Sequence, residues 1–251
     1  LSIIGFVGLL LPVIWPVRAR PADLGLNTDG AETAQDEGDK DSQLGTYGGI
    51  SLAEAARMPA FYLLLFATGI LWFCITGTLQ HQALYLSRDH GLDGGSLALV
   101  FSVFFWCSIF GKFIFGWLSD HFQKANIMLL AVANLSLGLT ILRFVENADM
   151  GVIYLYAVVY GVGFAGAFTM IQLMIADLFS GPTYGRILGI YVGVDTLAAA
   201  AGIAVVGEIR VATESYIPAI DLMLVLAVIA MGCVIAVKRL IGPGHNAASR
   251  T

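Results

Sequence analysis

Residues 111–120 read Gly-Lys-Phe-Ile-Phe-Gly-Trp-Leu-Ser-Asp and close a long apolar run that begins near Ser96. Lys112 puts a positive charge inside this run, and Asp120 puts a negative charge just past its end. A charged side chain near the centre of a bilayer costs roughly 2.5–3.5 kcal/mol on the most lenient scale. The Lys112 ammonium group is therefore expected to face protein or water and to find a partner there.

The composition of the whole chain places this run in a membrane protein. Of the 251 residues, 58% are hydrophobic and only 12% are charged, whereas a soluble domain has about 25% charged residues. Six apolar runs are long enough to cross a bilayer, which takes about 20 helical residues. The runs are 60–84, 96–118, 125–145, 152–178, 186–207 and 216–237. Because they lack an alternation of period two, we predict an all-α integral membrane protein.

Four segments make up the predicted domain organisation. Residues 1–17 are apolar and are interpreted as the end of a further span. Residues 18–59 form an acidic linker, in which the capping-box sequence at Ser51 predicts a short interfacial helix. Residues 60–240 are predicted to form a six-helix transmembrane bundle, and residues 241–251 a cytoplasmic tail.

The distribution of basic residues orients the predicted bundle. If the linker is cytoplasmic, nine Lys and Arg side chains fall on its side of the membrane, and only Arg88, Arg143 and Arg210 fall on the other. Cytoplasmic loops of multi-pass proteins carry an excess of Lys and Arg. We therefore predict a multi-pass protein of the cell (inner) membrane with a cytoplasmic C-terminus.

Three polar side chains on three different runs are predicted to lie at a similar depth. Lys112, Gln172 and Asp195 each fall slightly to the cytoplasmic side of the centre of their run. In one interpretation, Lys112 and Asp195 neutralise each other, or Lys112 extends its ammonium group to the interface. In the other, Lys112 binds an anionic substrate while Asp195 carries a proton or a competing charge. The sequence leaves both open.

Two further polar side chains are candidates for the same pathway. His81, near the outer end of the 60–84 run, is able to titrate near neutral pH and to gate an outer mouth. A lone His at an interface is more often a solvated polar residue. Tyr160 lies deeper than the other tyrosines of its run and is a candidate pore-lining residue, although such tyrosines also form aromatic belts.

Glycines at a spacing of four residues mark one face of the 186–207 region. The ladder consists of Gly185, Gly189 and Gly193. Such a ladder predicts close helix packing, or a smooth surface along which helices slide in a transporter. Glycines at 161, 163 and 166 form a similar group in the preceding run.

Several classes of function are disfavoured by missing patterns. The sequence holds no H-E-x-x-H, G-x-S-x-G or Walker A motif, so we do not predict an enzyme. The four His and three Cys residues lie in separate segments, so we predict no metal site and no cofactor. No basic stripe is present, which argues against a nucleic-acid partner.

At several places the motifs resemble those of a known family. Gly111-Lys112-xxx-Gly116-xxx-Asp120, followed by a short basic loop and another span, resembles the loop signature in the second half of the major facilitator superfamily. Residues 160–164, 176–179 and 185–189 look like the region around its tenth and eleventh helices. The stretches 20–26 and 81–91 are similar to the oxalate/formate antiporter-like and monocarboxylate-transporter-like branch.

The resemblance implies the C-terminal half of a twelve-helix transporter. Residues 1–17 would be the end of helix six, the six runs would be helices seven to twelve, and an N-terminal half would be the missing partner. A cation at the position of Lys112 is then expected to contact the substrate carboxylate, although the branch more often has Arg there. Gly116, Asp120 and Arg186 would belong to the loops that govern the conformational change.

Together with the polar residues of the runs, the resemblance implies a secondary active transporter for a small carboxylate or other organic anion. Transport would proceed by alternating access and would be coupled to protons or to exchange, with the lipid bilayer as surroundings. The predicted substrate-binding residues are Lys112, Asp195, Gln172, His81 and Tyr160. The alternative is a non-transporting sensor or signalling module on the same scaffold, for which the linker at 21–50 is the candidate docking segment.

Overall fold

A computed structural model of the chain describes residues 50–145, 149–181 and 183–241. The predictions for the first apolar segment, for most of the acidic linker and for the tail lie outside the described residues. The described part begins with a short helix, α1 (Leu52–Ala55). The Ser51 hydroxyl accepts a hydrogen bond from the Glu54 amide, and the Glu54 carboxylate accepts one from the Ser51 amide. The predicted capping box is thus confirmed, and hydrogen bonds from Ser51 lower the pKa of Glu54 below its usual range.

Six long helices follow, each long and apolar enough to cross a membrane. They are α2 (Pro59–Leu84), α3 (Gly94–His121), α4 (Lys124–Arg143), α5 (Met150–Phe179), α6 (Tyr184–Thr213) and α7 (Ile217–Ile241). A π-helical turn (Tyr85–Asp89) continues α2. Within the described ranges no strand occurs, so the all-α prediction is confirmed.

Helix α6 extends beyond the predicted limit at Gly207. Its last turns contain Glu208 and Arg210, whose charges end the apolar run in the sequence. The Arg210 guanidinium group donates a hydrogen bond of 2.8 Å to Asp89 and lies 5.1 Å from the centre of the Tyr216 ring. Because these contacts satisfy the charge, the helix continues to Thr213.

The helices pack in an open arrangement with α3 and α6 at its two ends. Helix α3 packs along α5, and α5 packs along α4. Helix α2 packs along both α6 and α7, and α7 also packs along α4. Only 22% of the most apolar window is buried in α3 and in α6, against 61% in α2. The faces of α3 and α6 that are turned away from the bundle therefore lack a protein neighbour among the described residues.

The six helices alternate in direction, which gives the bundle two distinct ends. The linker-side end contains Ile50, whose carbonyl oxygen accepts a hydrogen bond from Thr183, and an ion pair between Lys124 and Asp177. The distal end contains the ion pair between Arg143 and Asp221, at 2.7 Å.

Candidate functional site

A cleft of about 300 Å³ lies between α2, α5 and α6. It is lined by Trp72, Phe168, Gln172, Val192, Asp195, Thr196 and Ala199. The rings of Trp72 and Phe168 meet edge to face with their centres 5.8 Å apart. The cleft thus joins an aromatic wall to a carboxylate, an amide and a hydroxyl group, a combination typical of small-molecule sites.

Asp195 is the buried charged group of this cleft. Its side chain is on α6, and only 5% of the residue is exposed. Its Oδ1 atom accepts a hydrogen bond of 2.8 Å from the Thr68 hydroxyl of α2. No Lys or Arg among the described residues lies within 4.0 Å of its carboxylate. The Thr68 hydroxyl is therefore the group that stabilises the Asp195 carboxylate directly.

Lys112, on α3, contacts a ring that lines the cleft. Its Nζ atom lies over the Phe168 ring, 5.0 Å from the ring centre. A cation in this position is attracted by the negative face of the ring. Lys112 makes no ion pair with Asp195, which differs from the first interpretation of the sequence. Its ammonium group instead contacts the ring of Phe168, which lines the cleft.

The five predicted substrate-binding residues are brought together only in part. Asp195 and Gln172 line the cleft, and Lys112 flanks it through Phe168. His81 lies towards the distal end, where its ring contacts the Ile203 carbonyl oxygen at 3.0 Å and the Tyr216 hydroxyl at 3.4 Å. It thus ties α2 to α6 and to the start of α7, and it does not line the cleft.

Tyr160 is also separate from the cleft. It is fully buried in α5, and its ring stacks on those of Phe104 and Tyr156. Its backbone and ring lie so close to Gly138 of α4 that a Cβ there would approach them to 2.8 Å. In the described bundle Tyr160 is therefore a packing residue of the core, and not a lining residue of the cleft.

The glycine ladder of α6 does not pack against another helix of the described chain. A Cβ atom added at Gly185, Gly189 or Gly193 would meet no atom within 4 Å. Helix α6 instead contacts α2 through another glycine, Gly202, where a Cβ would lie 2.3 Å from the Phe73 carbonyl oxygen. Within the described bundle α6 thus turns a different face to its neighbour, and the role of the ladder in helix packing or sliding stays a prediction.

The glycines of α5 do mediate close packing. An added Cβ would lie 2.6 Å from the Phe104 carbonyl oxygen at Gly161, and 2.6 Å from the Leu135 amide nitrogen at Gly163. Helix α5 thus approaches α3 on one side and α4 on the other at backbone distance. The same helix carries Phe168, one of the residues that line the cleft.

The predicted conformational loops lie at the linker-side end. Asp120 and Arg186 are exposed, and neither makes an ion pair with another described residue. A Cβ at Gly116 would meet open space. The charge contact at this end is instead the pair between Lys124, at the start of α4, and Asp177, near the end of α5. The role of Gly116, Asp120 and Arg186 in a conformational change stays a prediction.

Nothing in the sequence pattern marked Thr68 as the partner of Asp195. A helical threonine usually donates to a carbonyl oxygen three or four residues earlier in its own helix, and the Thr68 hydroxyl does lie 3.1 Å from the Leu65 carbonyl oxygen. Its second partner, Asp195, is 127 residues away in the sequence. A carboxylate inside an apolar run needs a donor, but the pattern does not say which helix supplies it.

The donor set of the site consists of hydrogen-bonding groups beside an aromatic surface. Within the described ranges, no group of three or more His, Cys, Asp or Glu side chains is placed to hold a metal. The three cysteines, Cys74, Cys107 and Cys233, are unpaired thiols. What the cleft offers is an aromatic surface, hydrogen-bonding groups and charges of both signs at its boundary.

Comparison with known proteins agrees with this architecture. The family model described as Major Facilitator Superfamily matches residues 61–249, which include all six long helices except the first two residues of α2. No curated protein matches the chain significantly. Six membrane-spanning helices of this family imply a multi-pass protein, a surrounding lipid bilayer and a small solute as cargo. The chain therefore belongs to the major facilitator superfamily, a family of membrane transporters.

Proposed function

We propose that this chain is the C-terminal half of a secondary active transporter that moves a small carboxylate or another organic anion by alternating access. Transport is driven by protons or by exchange against a second solute. The observation that carries the proposal is Lys112, whose ammonium group stands over Phe168 at the edge of the cleft with no carboxylate partner among the described residues.

The environment of Lys112 favours an anionic ligand. A cation inside an apolar span is expensive unless it is paired, and a ring face compensates only about 0.5–2 kcal/mol. A substrate carboxylate that enters the cleft would complete the compensation with a charge-assisted hydrogen bond. Because lysine is a point charge without the planar fork of arginine, it suits one carboxylate oxygen and does not require a bidentate arrangement.

The open faces of the bundle support a second half. Helices α3 and α6 are the least buried of the six spans. The α6 ladder of Gly185, Gly189 and Gly193 leaves room for another helix to approach closely. A preceding six-helix half seated on these two helices would close the cleft from its open side. Movement of one half against the other would then expose the cleft to each side of the membrane in turn.

The membrane and the orientation are part of the same proposal. Lys238 and Arg239 lie in the last turn of α7, at the linker-side end, where Lys124 and Arg186 also lie. This excess of positive charge supports a cytoplasmic linker-side end and a cytoplasmic C-terminus in the cell (inner) membrane. The resemblance of the sequence to the oxalate/formate and monocarboxylate branch supports a small carboxylate as the solute.

The proposal is tested by removing the charge of Lys112 in the full-length protein. Radiolabelled lactate, formate and oxalate are offered to proteoliposomes that contain the wild type or the Lys112→Gln variant. A charge-assisted hydrogen bond contributes about 1.5–3 kcal/mol, so uptake at low solute concentration should fall by about 10- to 150-fold.

The matched control is Lys238→Gln, which removes the same charge at the end of α7. It should leave uptake unchanged, and a Lys112→Arg variant should retain part of the uptake because it keeps the positive charge. Uptake that persists at the wild-type rate in Lys112→Gln would contradict the anion-binding role of Lys112.

A further inference from the structure

We propose that the coupling ion of this transporter is the proton, that Asp195 binds it, and that Thr68 is the positioning residue of this site. The proposal rests on the proposed transport function and decides between its two coupling modes. When Asp195 is ionised, the Thr68 hydroxyl donates its hydrogen to the carboxylate. When Asp195 is protonated, it donates to the Thr68 oxygen, and Thr68 donates to Leu65.

The geometry of the Thr68 hydroxyl carries this inference. Its Oγ1 atom lies 2.8 Å from Asp195 Oδ1 and 3.1 Å from the Leu65 carbonyl oxygen. A hydroxyl group has one hydrogen to donate and can also accept, so it serves the two oxygens in turn. A rotation of the O–H bond therefore keeps every hydrogen bond satisfied, whether or not the carboxyl group holds a proton.

The surroundings of Asp195 favour neutralisation of its carboxylate by a proton. An ionised carboxyl group that is buried without a cation neutralises itself in preference to staying charged. Asp195 is 5% exposed, and Lys112 of α3 is held over Phe168 and away from it. The nearest titratable group on α6 itself is Tyr191, whose hydroxyl donates to the Phe61 carbonyl oxygen at 2.9 Å.

The remaining neighbours of Asp195 bring no other charge. From α2 the facing polar group is Thr68, and from α5 the cleft receives the amide of Gln172, which does not titrate. Thr196, the next residue on α6, lines the same cleft. The cleft therefore gives water a route to the carboxyl group, and a proton that arrives by this route meets Asp195 as its acceptor.

A metal cation fits this site less well than a proton. The Thr68 and Asp195 oxygens are separated by a hydrogen-bond distance, 2.8 Å, so a hydrogen atom already occupies the space between them. A cation such as Na⁺ would need these oxygens to separate and to turn their lone pairs towards it. The arrangement therefore favours a proton, and sodium dependence becomes an outcome of the test.

Another threonine of α2 provides a matched control. The Thr76 hydroxyl lies 2.7 Å from the Trp72 carbonyl oxygen of its own helix and 2.8 Å from the Ala199 carbonyl oxygen of α6. It thus has the same two-acceptor arrangement between the same two helices, but both acceptors are carbonyl groups. Removing this hydroxyl changes the packing of α2 on α6 without changing a proton site.

The test uses the purified full-length protein and two readouts. Infrared difference spectra follow the protonated carboxyl band as the pH changes, and [¹⁴C]lactate uptake is driven either by a pH gradient or by exchange. We expect Asp195→Asn to lose the band and the pH-driven uptake while it retains exchange. Thr68→Val should move the midpoint of the band to higher pH by about half a unit to one unit, because the ionised form loses its stronger, charge-assisted bond.

The control variants separate a proton site from a packing effect. Thr68→Ser should behave like the wild type, and Thr76→Val should leave the midpoint unchanged. A band that survives in Asp195→Asn, a midpoint that does not move in Thr68→Val, or uptake that follows a sodium gradient would overturn the proposal. If the wild type transports no carboxylate, the proposed transport function is wrong. The infrared titration still shows in that case whether Asp195 binds a proton.

Discussion

An ammonium group in the middle of an apolar helix has few ways to lower its free energy. Lys112 uses the face of Phe168, which is also a wall of the cleft. The same ring therefore holds the cation and borders the space where a ligand would lie. This double contact makes Phe168 the positioning residue of Lys112, and its effect on transport can be separated from that of ordinary packing.

Replacing Phe168 by Leu should weaken anion binding and leave the bundle intact. Loss of a cation–π contact of about 0.5–2 kcal/mol should raise KM for lactate about 2- to 30-fold, with a smaller effect on kcat. Phe168→Tyr should restore KM because it keeps the ring. The matched control is Phe164→Leu, one turn earlier on α5, where the ring packs on Phe104 but does not lie under Lys112. Equal effects of the two Leu variants would refute a special role for Phe168.

The sequence predicts the charges of the site but not their partners. Counting residues along an α-helix, at about 1.5 Å per residue, is enough to place Gln172 and Asp195 at similar depths. Their common cleft agrees with that prediction. The partners depend on how each helix is rotated about its axis. This rotation is set by contacts such as Gly161 on the Phe104 backbone, which a single sequence does not display.

At the scale of the helix, small residues decide which faces meet. The α2–α6 contact brings Gly202 against the Phe73 backbone and Gly77 against Val206. The Thr68–Asp195 and Thr76–Ala199 hydrogen bonds lie in the same interface. The glycine ladder at the start of α6 has the more regular spacing, and it therefore stands out in the sequence. Regular spacing shows only that one face of the helix is smooth, and it does not show which element packs on that face.

Enlarging Gly202 should destabilise this contact. In Gly202→Ala the new methyl group would lie 2.3 Å from the Phe73 carbonyl oxygen, so the two backbones must separate. Overpacking of this kind costs about 1–3 kcal/mol, which a denaturant titration of the purified protein would measure. Gly232→Ala on α7 is the control, since its methyl group meets no atom within 4 Å. A free energy of unfolding that is equally unaffected in both variants would contradict the described packing.

Helix ends show where composition misleads. The apolar run stops near Gly207, yet α6 continues to Thr213 because Arg210 has Asp89 and the Tyr216 ring as partners. Hydropathy counts a charge as a cost and does not register the partner that compensates it. The existence and the order of the six helices follow from the sequence, since apolar length alone fixes them.

At the scale of the whole molecule, the described bundle has a cleft that is bounded by α2, α5 and α6. Its least buried helices are α3 and α6, and in the proposed transporter these two would meet the second half. The ion pair of Lys124 with Asp177 and that of Arg143 with Asp221 hold opposite ends of α4 to its neighbours. The bundle is thus tied together at both ends, as a unit that moves rigidly against a second half would need to be.

In the proposed transporter the cleft is the pathway, and a carboxylate occupies it. The most direct measurement is the rate at which N-ethylmaleimide labels Thr196→Cys, a cleft position, in the full-length protein after its native cysteines, Cys74, Cys107 and Cys233 among them, are replaced by alanine. Thr213→Cys, an exposed position near the distal end, serves as the control. We expect lactate or formate to slow labelling at Thr196→Cys alone, and Lys112→Gln to abolish this protection. Labelling that no carboxylate slows, in a protein that still transports carboxylates, would contradict this role of the cleft.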